Sequence, residues 1–300
     1  MQAEFLPMLA SASTGASGRD PVQVDQLMAT GDWVLDTKLD GVRAMLMPDG
    51  RILNRKGVDV ARIFPEVVAA MTDQSGGSRH GWLDGEIVAV NGSFETTLMR
   101  ESQSITAKIR RAADEHPCRF VAFDLPALAK QPWSERRERL ERLADDGVLI
   151  APVSYDMSLW TQTRAMGMEG VIAKRLVSRY RFGRRSRDWV KFKHLHRVSC
   201  LLAGYTPGSG SREHFGALLL ALVDERGTVV PVGRCGSGFT ERQTHDLKSR
   251  LDAGELLVGE IETINITSGG TLRFPVFRGL RTDVAPADCT TTQLAALPRC

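Results

Sequence analysis

Lys38 opens the hexapeptide Lys38-Leu39-Asp40-Gly41-Val42-Arg43, a setting in which a lysine can do covalent chemistry. A protonated amine is no nucleophile, so a lysine that attacks phosphorus needs a lowered pKa or cations close by. Gly41 permits a tight turn and a close approach of backbone to a ligand. Arg43 offers a planar guanidinium that grips phosphate or carboxylate through two hydrogen bonds. By itself the hexapeptide does not separate a nucleophile from a solvated lysine at a strand end.

Four further elements follow in order: Leu53-Asn54-Arg55-Lys56-Gly57, Leu83-Asp84-Gly85-Glu86-Ile87-Val88, Glu169-Gly170-Val171-Ile172-Ala173-Lys174-Arg175 and Trp189-Val190-Lys191-Phe192-Lys193. Period-two alternation in the last puts Lys191 and Lys193 on one strand face, where two cations can hold one phosphate group. Glu169 stands before an apolar run and is an oxygen donor of the kind magnesium prefers. The bland alternatives are a surface acid paired with Arg175 for Glu169, a turn for Asp84 and Glu86, and core packing for Phe123 and Trp189. Tyr180 reads equally as a nucleic-acid contact or a structural residue.

These residues need strands to hold them, and the sequence supplies short β-like runs at 33–35, 43–47, 51–54, 86–90 and 120–123. Helical patterns lie at 65–71 and 134–143, the second with Ser134 as the expected N-cap. The small polar stretch 11–20 reads as a loop. After residue 195 the texture changes to strands at 198–205, 217–223, 228–232 and 256–265 with one helix at 240–251, which suits a small β-barrel such as an OB-fold. Ten basic residues against the single acid Asp188 lie between Lys174 and Arg197, although the whole chain carries only +3. That density attracts the phosphates of a nucleotide or a nucleic-acid backbone, unless it is a solvated face. No long apolar run predicts a membrane span. The acidic Glu4 and Pro7 at the amino terminus do not read as a secretion signal, so a cytoplasmic location is expected. The five cysteines form no C-x-x-C pair, which argues against a zinc site and fits reduced thiols.

The ordered set resembles the covalent nucleotidyltransferases, and within them the ATP-dependent DNA ligases of compact bacterial and phage type and the ligase domain of bacterial end-joining ligases. The likeness runs from about residue 5 to 283. It also takes in Pro7-Met8-Leu9-Ala10, Phe123-Asp124-Leu125, Ser134-Glu135-Arg136-Arg137, Gly183-Arg184-Arg185-Ser186 and Arg278-Gly279-Leu280-Arg281. It implies an α+β adenylation domain with antiparallel sheets over 1–195 and an OB-fold β-barrel over 196–300.

By this resemblance, Lys38 carries AMP taken from ATP, and Asp36 reads the adenine amino group from a position where the family often has glutamate. Arg43 and Arg55 contact the ribose and the nick phosphate, Phe123 stacks on adenine, and Arg185 contacts phosphate. Glu86 lies near ribose and metal, Glu169 binds the magnesium or manganese ion, and Lys191 with Lys193 holds the α-phosphate. Arg281 and Asp283 orient the pyrophosphate, although Val284 stands where the family motif R-x-D-K has lysine. Arg179, Arg181 and Arg184 are the candidates for pure DNA contact, and the implied partner is nicked duplex DNA, bound by a monomer; an end-binding or clamp partner is left open by the sequence. An RNA ligase or a GTP-using capping enzyme would share Lys38, Lys191 and Lys193; the segments 134–137, 183–186 and 278–283 favour the DNA ligases. A non-catalytic nucleic-acid-binding module is the reading from another class.

Overall fold

Alternating apolar runs and turns give three five-stranded sheets in the computed structural model, which describes residues 6–13, 21–91, 94–210 and 214–299. The part of the expected loop at 14–20 lies outside the described residues. The chain divides into two units, Met1–Lys193 and His194–Cys300. The first unit begins with β1 (Leu9–Ala12), α1 (Pro21–Met28), β2 (Trp33–Thr37), β3 (Val42–Leu46), β4 (Ile52–Asn54), α2 (Pro65–Met71) and β5 (Leu83–Ala89). It continues through α3 (Phe94–Glu101), α4 (Thr106–Glu115), β6 (Cys118–Asp124), α5 (Trp133–Glu141) and β7 (Leu149–Ile150). β8 (Val153–Ser154), α6 (Ser158–Ala165), β9 (Gly170–Arg175) and β10 (Arg185–Lys193) complete it.

One sheet has the order β1-β10-β9-β2-β8 and the other β4-β3-β5-β6-β7. Pairing is antiparallel except where β1 joins β10 and β7 joins β6. Each sheet is apolar on its outer face. In the first, Leu35, Val171, Ala173 and Phe192 pack with Val24 of α1 and Leu159 and Trp160 of α6. In the second, Ala44, Leu46, Ile87, Phe120 and Ala122 pack with Val67 and Met71 of α2 and Leu140 of α5. The alternate positions on each strand are thereby turned inward, and they carry the polar residues of the motifs.

Gly41 is required by packing rather than by a ligand. A Cβ there would lie 2.1 Å from the Ile87 carbonyl oxygen, so the turn after Lys38 lies flat against β5. Gly170 has φ +144° and would place a Cβ 2.1 Å from the Phe192 oxygen, which lets β9 run close beside β10 just after Glu169.

The expected cap at Ser134 is not formed. α5 starts at Trp133 with Pro132 in the cap position, and the Ser134 N–H donates to the Leu176 carbonyl instead. The same segment contributes a fully buried ion pair. Arg136 donates to both Asp124 oxygens at 2.7 and 3.0 Å, and to the carbonyls of Gln131 and Ser178 at 2.8 and 2.7 Å. The Ser134-Glu135-Arg136-Arg137 element is thus a structural bolt between β6 and the chain beyond β9.

The second unit comprises β11 (His196–Tyr205), β12 (Leu218–Val223), β13 (Val229–Cys235), α7 (Glu241–Asp252), β14 (Val258–Thr263) and β15 (Val276–Leu280). The sheet order is β13-β12-β11-β14-β15, antiparallel throughout, around a core that includes Val198, Leu220, Ile261, Phe277 and Leu247 of α7. α7 starts on a capping box in which Thr240 and Gln243 satisfy each other's backbone N–H. The edge strands β13 and β15 share no ladder among the described residues. Single bonds, Phe277 N–H to Ser237 and Leu272 N–H to Val232, link the two ends of the order.

Removing one partner of the Arg136–Asp124 pair leaves a buried charge unmatched, a loss of about 3–5 kcal/mol. Arg136→Ala should show that loss in urea unfolding, and Arg136→Met with Asp124→Leu should recover most of it. Equal stability of Arg136→Ala and the parent would contradict the bolt.

Candidate active site

The inward faces of the two sheets in the first unit line a cavity of about 210 Å³. Asp36, Lys38, Ile172, Lys174, Trp189 and Lys191 come from the first sheet and the turn after β2. Arg43, Glu86 and Phe123 come from the second, with Arg55 just beyond β4 and Arg185 at the start of β10. Leu9 and Ala10 of β1 close one side. Of the residues singled out in the first unit, the cavity gathers Asp36, Lys38, Arg43, Arg55, Glu86, Phe123, Arg185 and Lys191.

Glu169 and Lys193 join this group through Lys38. The Glu169 carboxylate, almost fully buried, pairs with Lys38 through one oxygen and with Lys193 at 2.7 Å through the other. It is therefore not a surface acid held by Arg175. Burial opposes its ionisation, but the two ammonium groups outweigh that and its pKa is lowered. Lys191 shares its face with Trp189, as period two predicts, and Val190 between them packs, with Phe192, on the opposite core. Burial lowers the Lys191 pKa, and the cations Lys193, Lys38 and Arg185 lower it further. Arg43 and Glu86 are direct cross-strand partners. Burial pushes the Glu86 carboxyl up to about 7 against the pull of Arg43 and Lys38.

Sequence reading counted Lys174 among the basic residues that attract phosphates or form a solvated face, and the structure takes it out of that group. Lys174 is 2% exposed and pairs with Asp36 at 2.6 Å. The register sets Val34 opposite Lys174 and Ile172 opposite Asp36, so the two charges are diagonal neighbours on one face. The Lys174 ammonium also donates to the Phe123 carbonyl at 3.1 Å and lies over the Phe123 and Trp189 rings, 4.6 and 4.3 Å from their centres. Burial raises the Asp36 pKa in spite of Lys174. A signal for this pair was present: one charge of each sign inside two apolar runs.

Arg43 is similarly bound within the protein. It meets Asp84 through two bonds of 2.7 and 2.6 Å, donates to the Met8 carbonyl at 3.1 Å and covers the Phe123 ring at 4.5 Å. Tyr180 is structural: its buried hydroxyl donates to Asp84 at 2.5 Å and accepts the Met8 N–H at 3.1 Å. Asp84 closes no turn, because it lies within β5. Together these bonds tie the chain entering β1 to the cavity wall, and Arg185 donates to the Ala10 carbonyl.

Arg179, Arg181 and Arg184 are exposed in the connection from β9 to β10, with Arg181 3.6 Å from Asp188. In the second unit Arg281 forms a two-bond pair with Asp283 at 2.7 and 2.8 Å and approaches Glu260 at 3.4 Å. That pairing holds the Asp283 carboxyl down at about 2. No group of three or more His, Cys, Asp or Glu among the described residues is arranged to hold a metal ion.

A family model described as ATP dependent DNA ligase domain matches residues 7–193, more than half of the chain. The chain belongs to the ATP-dependent DNA ligase family. It is 32% identical over 308 residues to the multifunctional non-homologous end joining protein LigD of Pseudomonas aeruginosa, covering 89% of this chain and 36% of that protein. The first relatives are therefore much longer than the part matched. DNA ligase C1 of Mycolicibacterium smegmatis is 32% identical, over 84% of this chain and 74% of its own length. Among solved structures, mycobacterial DNA ligase D complexed with ATP and MES is similar at 28% identity and a TM-score of 0.51, covering 95% of this chain and 98% of that one. In this ligase family member no helix among the described residues is long and apolar enough to cross a membrane.

The raised Glu86 pKa gives a stability test. An unfolded glutamate titrates near 4.5 and the folded one at about 7, so the contribution is intact below pH ~4.5 and is lost as pH rises through about 7. Glu86→Gln, which stays neutral, should match the parent's melting temperature at pH ~4.5 and exceed it at pH ~8. A constant difference across that range would show that Glu86 titrates normally.

Proposed function

We propose that this chain seals 5′-phosphate/3′-hydroxyl nicks in duplex DNA with ATP, through AMP carried on Lys38 and then on the DNA. The observation that carries the reading is the grouping of Lys38, Lys191 and Arg185 with Asp36, Glu86 and Phe123 around one cavity, joined through Lys38 by Glu169 and Lys193. A base needs an apolar wall, three phosphates need cations, and a nucleophilic lysine needs cations near it.

In the first step the Lys38 Nζ attacks the α-phosphorus of ATP. A P–N bond forms, the bond to the β-phosphate oxygen breaks, pyrophosphate leaves and Lys38 gives up a proton. An oxygen of the nick 5′-phosphate next attacks that phosphorus, and the P–N bond breaks with Lys38 reprotonated. The 3′-hydroxyl then attacks the activated 5′-phosphorus, forming the phosphodiester and expelling AMP. Lys191 and Lys193 hold the α-phosphate, and their charge is matched best when the transferred group is most negative. Glu86 and Glu169 would hold a magnesium or manganese ion with phosphate oxygens completing its shell, which would add charge neutralisation at the phosphates. A set of two carboxylates fits such an ion, since magnesium is usually held by one or two carboxylates together with substrate phosphates.

Asp36, fixed by Lys174, accepts a hydrogen bond from the adenine amino group; Arg43 and Arg55 serve the ribose and the nick phosphate. Phe123 offers its ring to adenine beside the cations that already flank it. The antiparallel sheet of the second unit is read as an OB-type barrel, with Arg281 and Asp283 serving the pyrophosphate only. Nicked duplex DNA is the partner, and Arg179, Arg181 and Arg184 grip its backbone.

Purified protein with magnesium should seal a nicked duplex with ATP and not with GTP. Covalent labelling by GTP in place of ATP would move the chain to the capping class. Arg281→Ala should slow self-adenylation strongly while leaving the sealing of a pre-adenylated nick intact, and equal losses in both would assign the arginine to DNA or the fold. DNA affinity should fall steeply with salt, and the triple variant Arg179→Ala, Arg181→Ala, Arg184→Ala should flatten that slope. An unchanged slope would make the three arginines a solvated face.

A further inference from the structure

On the outer side of the second sheet, Ala61, Arg62, Pro65 and Val68 face Ile109 and Arg110 of α4 across a groove of about 380 Å³. Its floor is apolar: Ile109 is buried and Val68 half-buried, and Ile105, one turn before Ile109 and adjoining the groove, is 54% exposed. Its rim is cationic, with Arg62 and Arg110 both exposed. Arg62 donates to the Ser104 carbonyl at 3.0 Å, and Arg110 has no ion-pair partner among the described residues. Asp114 is exposed one turn from Arg110 on α4, and the other neighbouring acids are engaged elsewhere. Glu66 turns inward to the buried Arg100 and the Cys118 N–H, Glu115 pairs with Arg111, and Asp59 accepts the N–H groups of Ile52 and Ala61.

We propose that this groove docks an acidic amphipathic segment of a partner protein, helical, with apolar residues at i, i+3, i+4 and i+7 and Asp or Glu beside them. The apolar floor takes the anchoring side chains, and the rim cations pair with the flanking carboxylates. A nucleic-acid backbone would meet the cations but offers nothing to the floor. α2 packs its Val67 and Met71 against the face of the sheet opposite Glu86 and Phe123, so a docked segment leaves the cavity open. The contact tethers the enzyme without obstructing Lys38.

The test uses the full chain and two short fluorescein-labelled peptides of the same Leu and Glu composition, read by fluorescence anisotropy. One places its leucines on a single helical face, and the other has them scrambled. The first should bind saturably, and the scrambled peptide at least about tenfold more weakly. The double variant Arg62→Glu, Arg110→Glu and the separate variant Ile105→Ser should each weaken the first peptide by a similar factor, with affinity for a nicked duplex and its sealing unchanged. Two results would overturn the proposal: equal binding of both peptides, or peptide binding that neither variant alters. A loss of nicked-duplex affinity in the double variant, with peptide binding intact, would overturn it too and assign the rim to DNA.

Discussion

One carboxylate makes the cluster of cations tenable. Glu169 sits between Lys38 and Lys193, and burial together with the cations Lys193, Lys38 and Arg185 lowers the pKa of Lys191. Two like charges about 4 Å apart repel by about 4 kcal/mol at an effective dielectric constant of 20, so the lysines cannot share a cavity wall without an anion among them. The same arrangement suits an exchange in which phosphate oxygens replace Glu169 as the partner of the lysines. On the proposed function, the pair that holds the protein's own charges together is the one a nucleotide takes over.

The scaffold around that exchange is fixed by buried charges matched one to one. Arg136 bolts Asp124 at the end of β6, Arg43 with Asp84 and Tyr180 fixes the chain entering β1, and Lys174 fixes Asp36. Arg100, fully buried, holds Glu66 and the carbonyls of Ile63 and His116 behind the second sheet. A broken pair of this kind costs more than the intact pair contributes, which favours one arrangement of the walls over its alternatives. Gly41 and Gly170 then bring the strands close enough for residues distant in sequence to meet.

Much of the site was legible because its chemistry is carried by residue types in short ordered runs. Lys38, Glu86, Lys191 and Arg185 stand on one cavity, and strand periodicity alone placed Lys191 and Lys193 on one face. What a linear reading missed depends on register and depth. Lys174 looked like one member of a basic stretch, yet its neighbours Val171 and Ala173 are core residues and its partner lies far earlier in the sequence, on β2 beside it in the sheet. Arg136 and Asp84 stood in motif segments with no role assigned to them and are structural ties. The cap predicted at Ser134 failed because the chain is drawn to Leu176 by a backbone bond that no local pattern encodes. The sheet order of the second unit was beyond reach for the same reason, although its helix, started by Thr240 and Gln243, was not.

The central claim is that the Lys38 amine carries the nucleotide. Intact mass followed by peptide mapping, after incubation with ATP and magnesium, tests it most directly. The account predicts one AMP per chain, located on Lys38, absent from Lys38→Ala and from Lys38→Arg, whose guanidinium stays protonated and cannot attack phosphorus. AMP found on another lysine, or retained in Lys38→Ala, would contradict it.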